Sequence, residues 1–484
     1  MGRSTSLRGG RPDEGRREHV SQELPDIILV VLDAARWDRF GCYGSTRAAT
    51  PTVDRLAREG SVVETMIANG PWTLPSHGSL FTGLYPSQHG SQWQTGPRLR
   101  DSALTMADWL RTVGYETVCA TGNNLISADT GLARGFVHHA SKKSLRAGRR
   151  WAVRRARTTL FGGDFGGRML NGWLRGRLPA ISGPLFLFVN YLECHWPYVP
   201  PRRFRRQVGG PSFGPAEGFR FRTGVGRRSG PWEAMARADG RTKEILSSLY
   251  DAELANADAH VAELLEVLKG AGRLRERATV LMVTSDHGEH LGEHGLADHQ
   301  ASVDDHLVRV PFVIWGPDRI AAERRRELYE FVDVFPSVAH LLGRDAPGSH
   351  LEQRRTGLFN GDGNGDTGFA FGEWRSWSGQ DLTRLAAKNP SFDFSRLRRD
   401  LVFVRDRRFK LVRARGEGDR LHDLEADPME ERDVSADHPD LVRRLRTELD
   451  RALDSWRTWG DDAEALTPQE TEEIEDHLSA LGYI

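Results

Sequence analysis

The feature that most constrains this chain is a set of short, wholly apolar runs, rich in β-branched and aromatic residues, separated by stretches of helical periodicity. Asp26–Leu32 reads DIILVVL, Leu185–Tyr191 reads LFLFVNY and Thr279–Thr284 reads TVLMVT; Tyr115–Ala120 and Val310–Trp315 are similar in character. Runs of this kind lack the polar alternation of a half-exposed strand, so they predict parallel strands buried on both faces. Between them, Thr52–Gly60 and Lys243–Lys269 have helical patterns. In the second, Leu249, Leu254, Ala257, Val261, Leu264, Leu265 and Leu268 keep a period close to 3.6. Strands alternating with helices predict an α/β fold: a doubly wound, mostly parallel sheet with right-handed crossovers.

A Gly/Asp-rich stretch at 360–367 (NGDGNGDT) reads as a linker, dividing a core over 25–360 from a smaller C-terminal α+β domain over 361–484. Residues 1–24, rich in Arg and Gly, are expected to form a disordered tail. The rhythm is broken by basic insertions at 141–177 and 201–231. In the first, Lys142, Lys143, Arg146, Arg149, Arg150, Arg154, Arg155, Arg157, Arg168, Arg175 and Arg177 face a single acid, Asp164. Over the whole chain 67 Lys+Arg balance 67 Asp+Glu, so no overall field draws nucleic acid. The segment 141–177 reads either as a solvated helix and loop or as a docking surface for an anionic substrate or lipid headgroup, in transient contact with an anionic membrane surface. Three cysteines without a CxxC pair, no apolar run long enough to span a bilayer and no signal-like start lead us to expect a cytoplasmic protein.

In open α/β sheets, ligands bind beyond the carboxyl ends of the strands. Three of the predicted strands run into groups that bind metal or move protons: Asp33 after the first, Glu193 and His195 after LFLFVNY, and Asp286-His287 after TVLMVT. Their coincidence predicts a metal site. A fourth element, Trp72-Thr73-Leu74-Pro75-Ser76-His77, suggests a helix opening at Pro75. That places the Thr73 hydroxyl at a helix N-terminus, where free N–H groups and the dipole stabilise an anion; taken alone it could equally be an N-cap.

Residues from about 25 to 345 resemble the sulfatase branch of the alkaline phosphatase superfamily. The resemblance rests on Pro25–Asp33, Gly41-Cys42-Tyr43-Gly44, Thr50–Ala57, Trp72–Pro86, Thr284–Glu289 with Leu291–Gly295, and Arg309-Val310-Pro311; Leu421–Pro428 and Leu481-Gly482-Tyr483 are similar to the family's C-terminal domain. It implies a divalent cation held by Asp33, Thr73, Asp286 and His287. Zn²⁺ or Mn²⁺ suits that mixed carboxylate and imidazole set best, with Mg²⁺ and Ca²⁺ as alternatives. His299 stands where typical sulfatases have a substrate-binding Lys. It either joins Glu193 and His195 on a second ion, or pairs with His195 to bind substrate and protonate the leaving oxygen. Gln94 falls where phosphodiesterase relatives hold a phosphate oxygen.

Four departures from the family pattern redirect the expected chemistry. Sulfatases carry at the Thr73 position a Cys or Ser that is oxidised to formylglycine, and threonine cannot become that aldehyde. His77 replaces an expected Arg, Ala34 an expected second Asp, and Asn123 and Asn124 the Lys-x-His sulfate contacts, so Asn123 is expected to bind substrate. The expected activity is therefore hydrolysis or transfer of a phosphate ester, best a phosphodiester, through a covalent phospho-Thr73 and without formylglycine. The substrate would be a small-molecule or lipid-headgroup phosphate ester. The alternatives are a sulfatase that uses Thr73, and a non-catalytic protein whose Arg-rich segment binds nucleic acid or anionic lipid.

Overall fold

The computed structural model describes residues 24–457 apart from 48, 93–95, 146–164, 212–231, 233–234, 236–237, 275–277, 318, 353, 360, 362–367, 378 and 395–397. Its main sheet contains β1 (Asp26–Leu32), β2 (Ser61–Ile67), β3 (Glu116–Thr121), β4 (His138–Ser141), β5 (Leu185–Tyr191) and β6 (Thr279–Thr284). A small hairpin follows, β7 (His290–Leu291) and β8 (Ala297–Asp298), before the sheet is completed by β9 (Arg309–Val310), β10 (Phe312–Trp315) and β11 (Glu323–Glu330). The strand order is β11-β2-β10-β6-β1-β5-β3-β4, with β9 pairing with β2. From β6 across to β4 every pairing is parallel.

The apolar runs behave as their composition requires. Ile27, Leu29 and Val31 enter one core layer, while Ile28, Val30 and Leu32 enter the other. Strands β5 and β6 divide in the same way, with Phe186, Phe188, Val280 and Met282 on the first side and Leu187, Val189, Leu281 and Val283 on the second. Helix α1 (Pro51–Glu59) packs by Val53 and Leu56 on the second layer. Helix α2 (Thr73–Thr82) packs by Leu74, Leu80 and Phe81 on the first. The second layer also receives α3 (Gly167–Arg177) and the 31-residue α4 (Gly240–Gly270). Thus the two faces of one buried sheet are covered by helices.

One expected parallel strand needs correction. Val310–Trp315 is broken at Pro311 into β9 and β10, and β10 runs antiparallel to both β6 and β2. Proline has no N–H to give the ladder, so the strand is interrupted there. The C-terminal sheet is antiparallel, in the order β12 (Ala370–Trp374), β13 (Leu401–Arg405), β14 (Phe409–Ala414) and β15 (Asp419–Asp423). Its outer face is covered by α5 (Pro439–Arg457) through Leu445 and Leu449. Polar contacts tie it to the core: Glu373 accepts from the Ser87 backbone N–H (2.6 Å), and Lys410 Nζ lies 3.1 Å from Asp305.

Of the basic insertion, Arg168, Arg175 and Arg177 are the described arginines, and the last two engage Glu263 (3.2 Å) and His138. Arg146 through Arg157, the expected tail, most of 201–231, Gln94 and the linker 362–367 lie outside the described residues. Among the described residues no helix is long and apolar enough to cross a membrane.

Candidate active site

Asp33 follows β1 directly and is fully buried. Its Oδ2 accepts from the side-chain amides of Asn123 (2.9 Å) and Asn190 (3.0 Å), while Oδ1 makes no hydrogen bond among the described residues. The next residue, Ala34, has φ 59°, a left-handed conformation that costs a non-glycine residue roughly 1–2 kcal/mol. Two contacts hold it there. Its N–H donates to Asp286 Oδ1 (3.1 Å), and its carbonyl accepts from the Tyr250 hydroxyl (2.7 Å) on α4.

Asp286 and His287 follow β6. Asp286 Oδ2 makes no hydrogen bond and lies 3.3 Å from His287 Nε2 and 3.6 Å from His77 Nδ1. Burial pushes the Asp286 carboxyl up, but His287 and His77 outweigh it and hold the group well below the usual carboxylate range. His287 Nδ1 lies 2.8 Å from the Gly288 carbonyl, which can only accept. That contact orients the ring with Nε2 turned towards Asp286, the orientation a metal-binding imidazole needs.

Thr73 is the first residue of α2, and its hydroxyl accepts from Asn123 Nδ2 (3.2 Å). The same amide therefore bridges the Thr73 hydroxyl and the Asp33 carboxylate. Ser76 Oγ donates to the Asp286 carbonyl (2.5 Å) and fastens the first turn of α2 to the loop after β6. Pro75 is the third helical residue rather than the first. Its missing N–H still falls among the four donors that a helix start leaves unpaired, so the turn is unharmed.

The donor atoms of Asp33, Asp286 and His287 lie within 4.8 Å of one another, all three residues are fully buried, and Asp33 Oδ1, Asp286 Oδ2 and His287 Nε2 lack hydrogen-bond partners. Two buried carboxylates left so exposed to each other are unfavourable unless a cation joins them. The residues fit a divalent ion.

A second group adjoins this one. The rings of His287 and His299 stack with centroids 4.1 Å apart, and the His195 ring lies 5.1 Å from that of His299. His299 Nδ1 is 2.8 Å from Asp298 Oδ1 and 3.5 Å from Glu289 Oε1. Burial lowers the His299 pKa, but Asp298 and Glu289 overcome it and raise it well above the ordinary imidazole value.

Glu193 does not share this place with His195. Its Oε1 accepts from the Gly167 N–H (3.1 Å) at the start of α3 and lies 3.3 Å from His260 Nε2 on α4. Beyond Tyr191 the chain leaves the strand in a turn, with the His195 N–H donating to the Leu192 carbonyl (3.2 Å). The two-residue alternation that would have put Glu193 and His195 on one face ends there. Cys194 packs in the apolar layer with Ile28 and Val30.

The structure also brings in residues that sequence reasoning gave no role. His77 lies one turn beyond Thr73 on α2, its Nδ1 donating to the Thr73 carbonyl (2.9 Å), and the i,i+4 spacing from Thr73 was the available signal. Glu289 and Asp298 had a weaker signal, since they reach His299 only through the β7–β8 hairpin.

A family model described as Sulfatase matches residues 25–344. The chain belongs to the sulfatase family. Among relatives, steryl-sulfatase of Mus musculus is 25% identical over 68% of this chain, which spans 63% of that protein. N-acetylgalactosamine-6-O-sulfatase of Bacteroides thetaiotaomicron is 21% identical over 90% of this chain and 94% of its own length. Among solved structures, phosphonate monoester hydrolase of Agrobacterium radiobacter superposes with a TM-score of 0.65 at 20% identity, covering 90% of this chain and 95% of that one. This sulfatase-family chain therefore shares its fold with proteins named for sulfate esters and with others named for phosphonate esters.

Proposed function

We propose that the chain is a metal-dependent hydrolase or transferase that cleaves a phosphate ester, best a phosphodiester, with Thr73 as the nucleophile. Membership of the sulfatase family supports the coarser part, an ester hydrolase acting on a sulfuric or phosphoric ester. The observation that carries the finer part is the Thr73 hydroxyl, buried at the start of α2 and linked through Asn123 to the Asp33 carboxylate. Threonine is a secondary alcohol, and its oxidation would give a ketone, never the aldehyde whose hydrate expels sulfate. A threonine phosphoester, in contrast, is opened by attack at phosphorus.

Asp33, Asp286, His287 and the Thr73 oxygen would hold the cation, which when bound lowers the hydroxyl's pKa and offsets charge on the phosphoryl oxygens. Thr73 Oγ gives up its proton to solvent and forms the new bond to phosphorus as the bond to the leaving alcohol breaks. The backbone N–H groups at the start of α2 face the developing charge. Asn123 and Asn190 orient Asp33, and Tyr250 holds the Ala34 turn that aims it. The proton required by the leaving oxygen comes from the imidazole pair His195 and His299. Water or an acceptor alcohol then attacks phosphorus, giving its proton to the imidazole that protonated the first leaving group, and Thr73 leaves and takes a proton from solvent. Small-molecule and lipid-headgroup diesters share the chemistry this site needs.

Initial rates on matched aryl substrates test the proposal: a phosphodiester, a phosphate monoester and a sulfate ester, each with the metal-loaded protein. The proposal expects the diester to have the largest kcat/KM. A preference for the sulfate ester would overturn it in favour of a sulfatase that works through Thr73.

A further inference from the structure

We infer that the cleft between the core and the C-terminal sheet is a separate anion site, one that takes the phosphate monoester group of a phosphorylated molecule. The cleft encloses about 470 Å³ and shares no lining residue with the active site. That volume lies in the range of small-molecule pockets, about 300–1,000 Å³. Arg309 enters it from β9 and Arg326 from β11, while Arg405 ends β13 and Arg407 lies in the turn before β14.

The balance of charge in the cleft is what calls for a ligand. Three carboxylates line it, and each already meets a cation. Asp305 lies against Arg405 and 3.1 Å from Lys410, Glu64 lies 3.0 Å from Arg324, and Glu425 lies 3.7 Å from Arg408. Arg309, Arg326 and Arg407 meet no carboxylate within ion-pair distance among the described residues. Three guanidinium groups from two domains therefore share one cavity without an anion of their own.

Arg309 is the independent observation. Its guanidinium lies over the Trp37 ring, 3.6 Å from the centroid, and donates to the Glu64 carbonyl (2.7 Å), yet its buried Nε has no partner. Burial, the largest influence on the group, holds its pKa below the ordinary guanidinium value despite the charge of Asp305. A charged donor so placed is unfavourable until an anion completes it. The other two arginines are held in place by the backbone. The pairing of β11 with β2 shifts register between Arg325 and Leu328, and such irregularities re-aim a side chain, here that of Arg326. The Arg407 carbonyl accepts from Arg405 Nη2 (3.2 Å), which pins the turn. Planar guanidinium forks match the paired oxygens of a phosphate, and Leu424 and Pro428 give the rest of the molecule an apolar wall. A ligand held by Arg309 and Arg326 on one side and Arg407 on the other would join the two domains.

Equilibrium dialysis of the full metal-loaded chain against radiolabelled inorganic phosphate tests the site. Arg326→Gln/Arg407→Gln is expected to bind one phosphate fewer per chain than wild type, because loss of two charge-assisted bonds weakens the site by about 100-fold or more. Arg415→Gln/Arg443→Gln removes the same charge outside the cleft and is expected to bind as wild type does. The count is a difference between chains with intact metal ligands, so phosphate held at the active site cancels. Equal binding by wild type and the cleft variant would overturn the inference, and so would an equal loss in the control variant. If the cleft variant fails to fold, Arg407→Gln alone is expected to weaken the same phosphate about tenfold. Sedimentation with phosphatidylcholine vesicles carrying phosphatidate separates the sources. Binding by wild type that the cleft variant loses assigns the phosphate to a lipid headgroup, and no binding by either assigns it to a soluble molecule.

Discussion

Replacing Asn123 by alanine separates a positioning role from direct contact with substrate. The Asn123 amide makes one charge-assisted hydrogen bond, to Asp33 Oδ2 (2.9 Å), and one neutral bond, to the Thr73 hydroxyl (3.2 Å). Removing a donor from a buried carboxylate costs about 1.5–3 kcal/mol, and the neutral bond contributes roughly 1 kcal/mol. Asp33 keeps its bond from Asn190 (3.0 Å), so it stays oriented but is a poorer ligand. The first quantity therefore acts on metal affinity, which should weaken about 10- to 100-fold. The second acts on the nucleophile and should lower kcat by roughly fivefold once metal is saturating. Isothermal titration with Mn²⁺ reads the first effect, and initial rates at saturating Mn²⁺ read the second. Unchanged metal affinity together with a kcat loss beyond about 100-fold would refute this reasoning and make Asn123 a direct donor to the reacting group.

Thr73→Ala should lower kcat by roughly 10⁴-fold or more while the chain still binds metal, as checked by rates and metal analysis on the same sample. Metal removal should lower thermal stability: at a free ion concentration 100 times Kd, one site stabilises the fold by about 2.7 kcal/mol, and differential scanning calorimetry should show a concentration-dependent rise in Tm. His89 supplies a pH dependence. Its buried ring has a pKa of about 3, lowered chiefly by burial and further by Arg100, against a bond to the Pro75 carbonyl (3.1 Å) that raises it. Because the folded pKa is depressed for a base, its stability contribution is complete above the unfolded pKa of about 6.5 and is lost as pH falls towards 3, and urea midpoints for His89→Gln should fall less over that window than those of wild type. Lys410→Met removes the buried cation between Asp305 (3.1 Å) and Glu430 (3.1 Å) and should destabilise the chain by about 3–5 kcal/mol in urea titrations.

The sequence was most legible where burial was complete. β1, β5 and β6 have no polar alternation, so their composition and bounds coincide with the observed strands. The acids and imidazole that follow β1 and β6 were readable for the same reason, since the strand end fixes which residue comes next. β11 was not legible, because its sequence ERRRELYE is that of a charged edge strand with only one face covered. Glu193 misled because alternation was carried past the last strand residue into a turn. The Glu289–Asp298–His299 cluster was hidden because it depends on a two-residue hairpin and left-handed backbone at non-glycine positions, neither of which has a hydrophobic period.

The central claim is that the Thr73 oxygen takes the transferred group. Rapid acid quench of the metal-loaded protein during turnover of an aryl phosphodiester, followed by peptide mass spectrometry, tests it most directly. A phosphoester adduct on the peptide containing Thr73, absent from Thr73→Ala, is the predicted result. Turnover with no adduct on that peptide, or a carbonyl at residue 73, would contradict it.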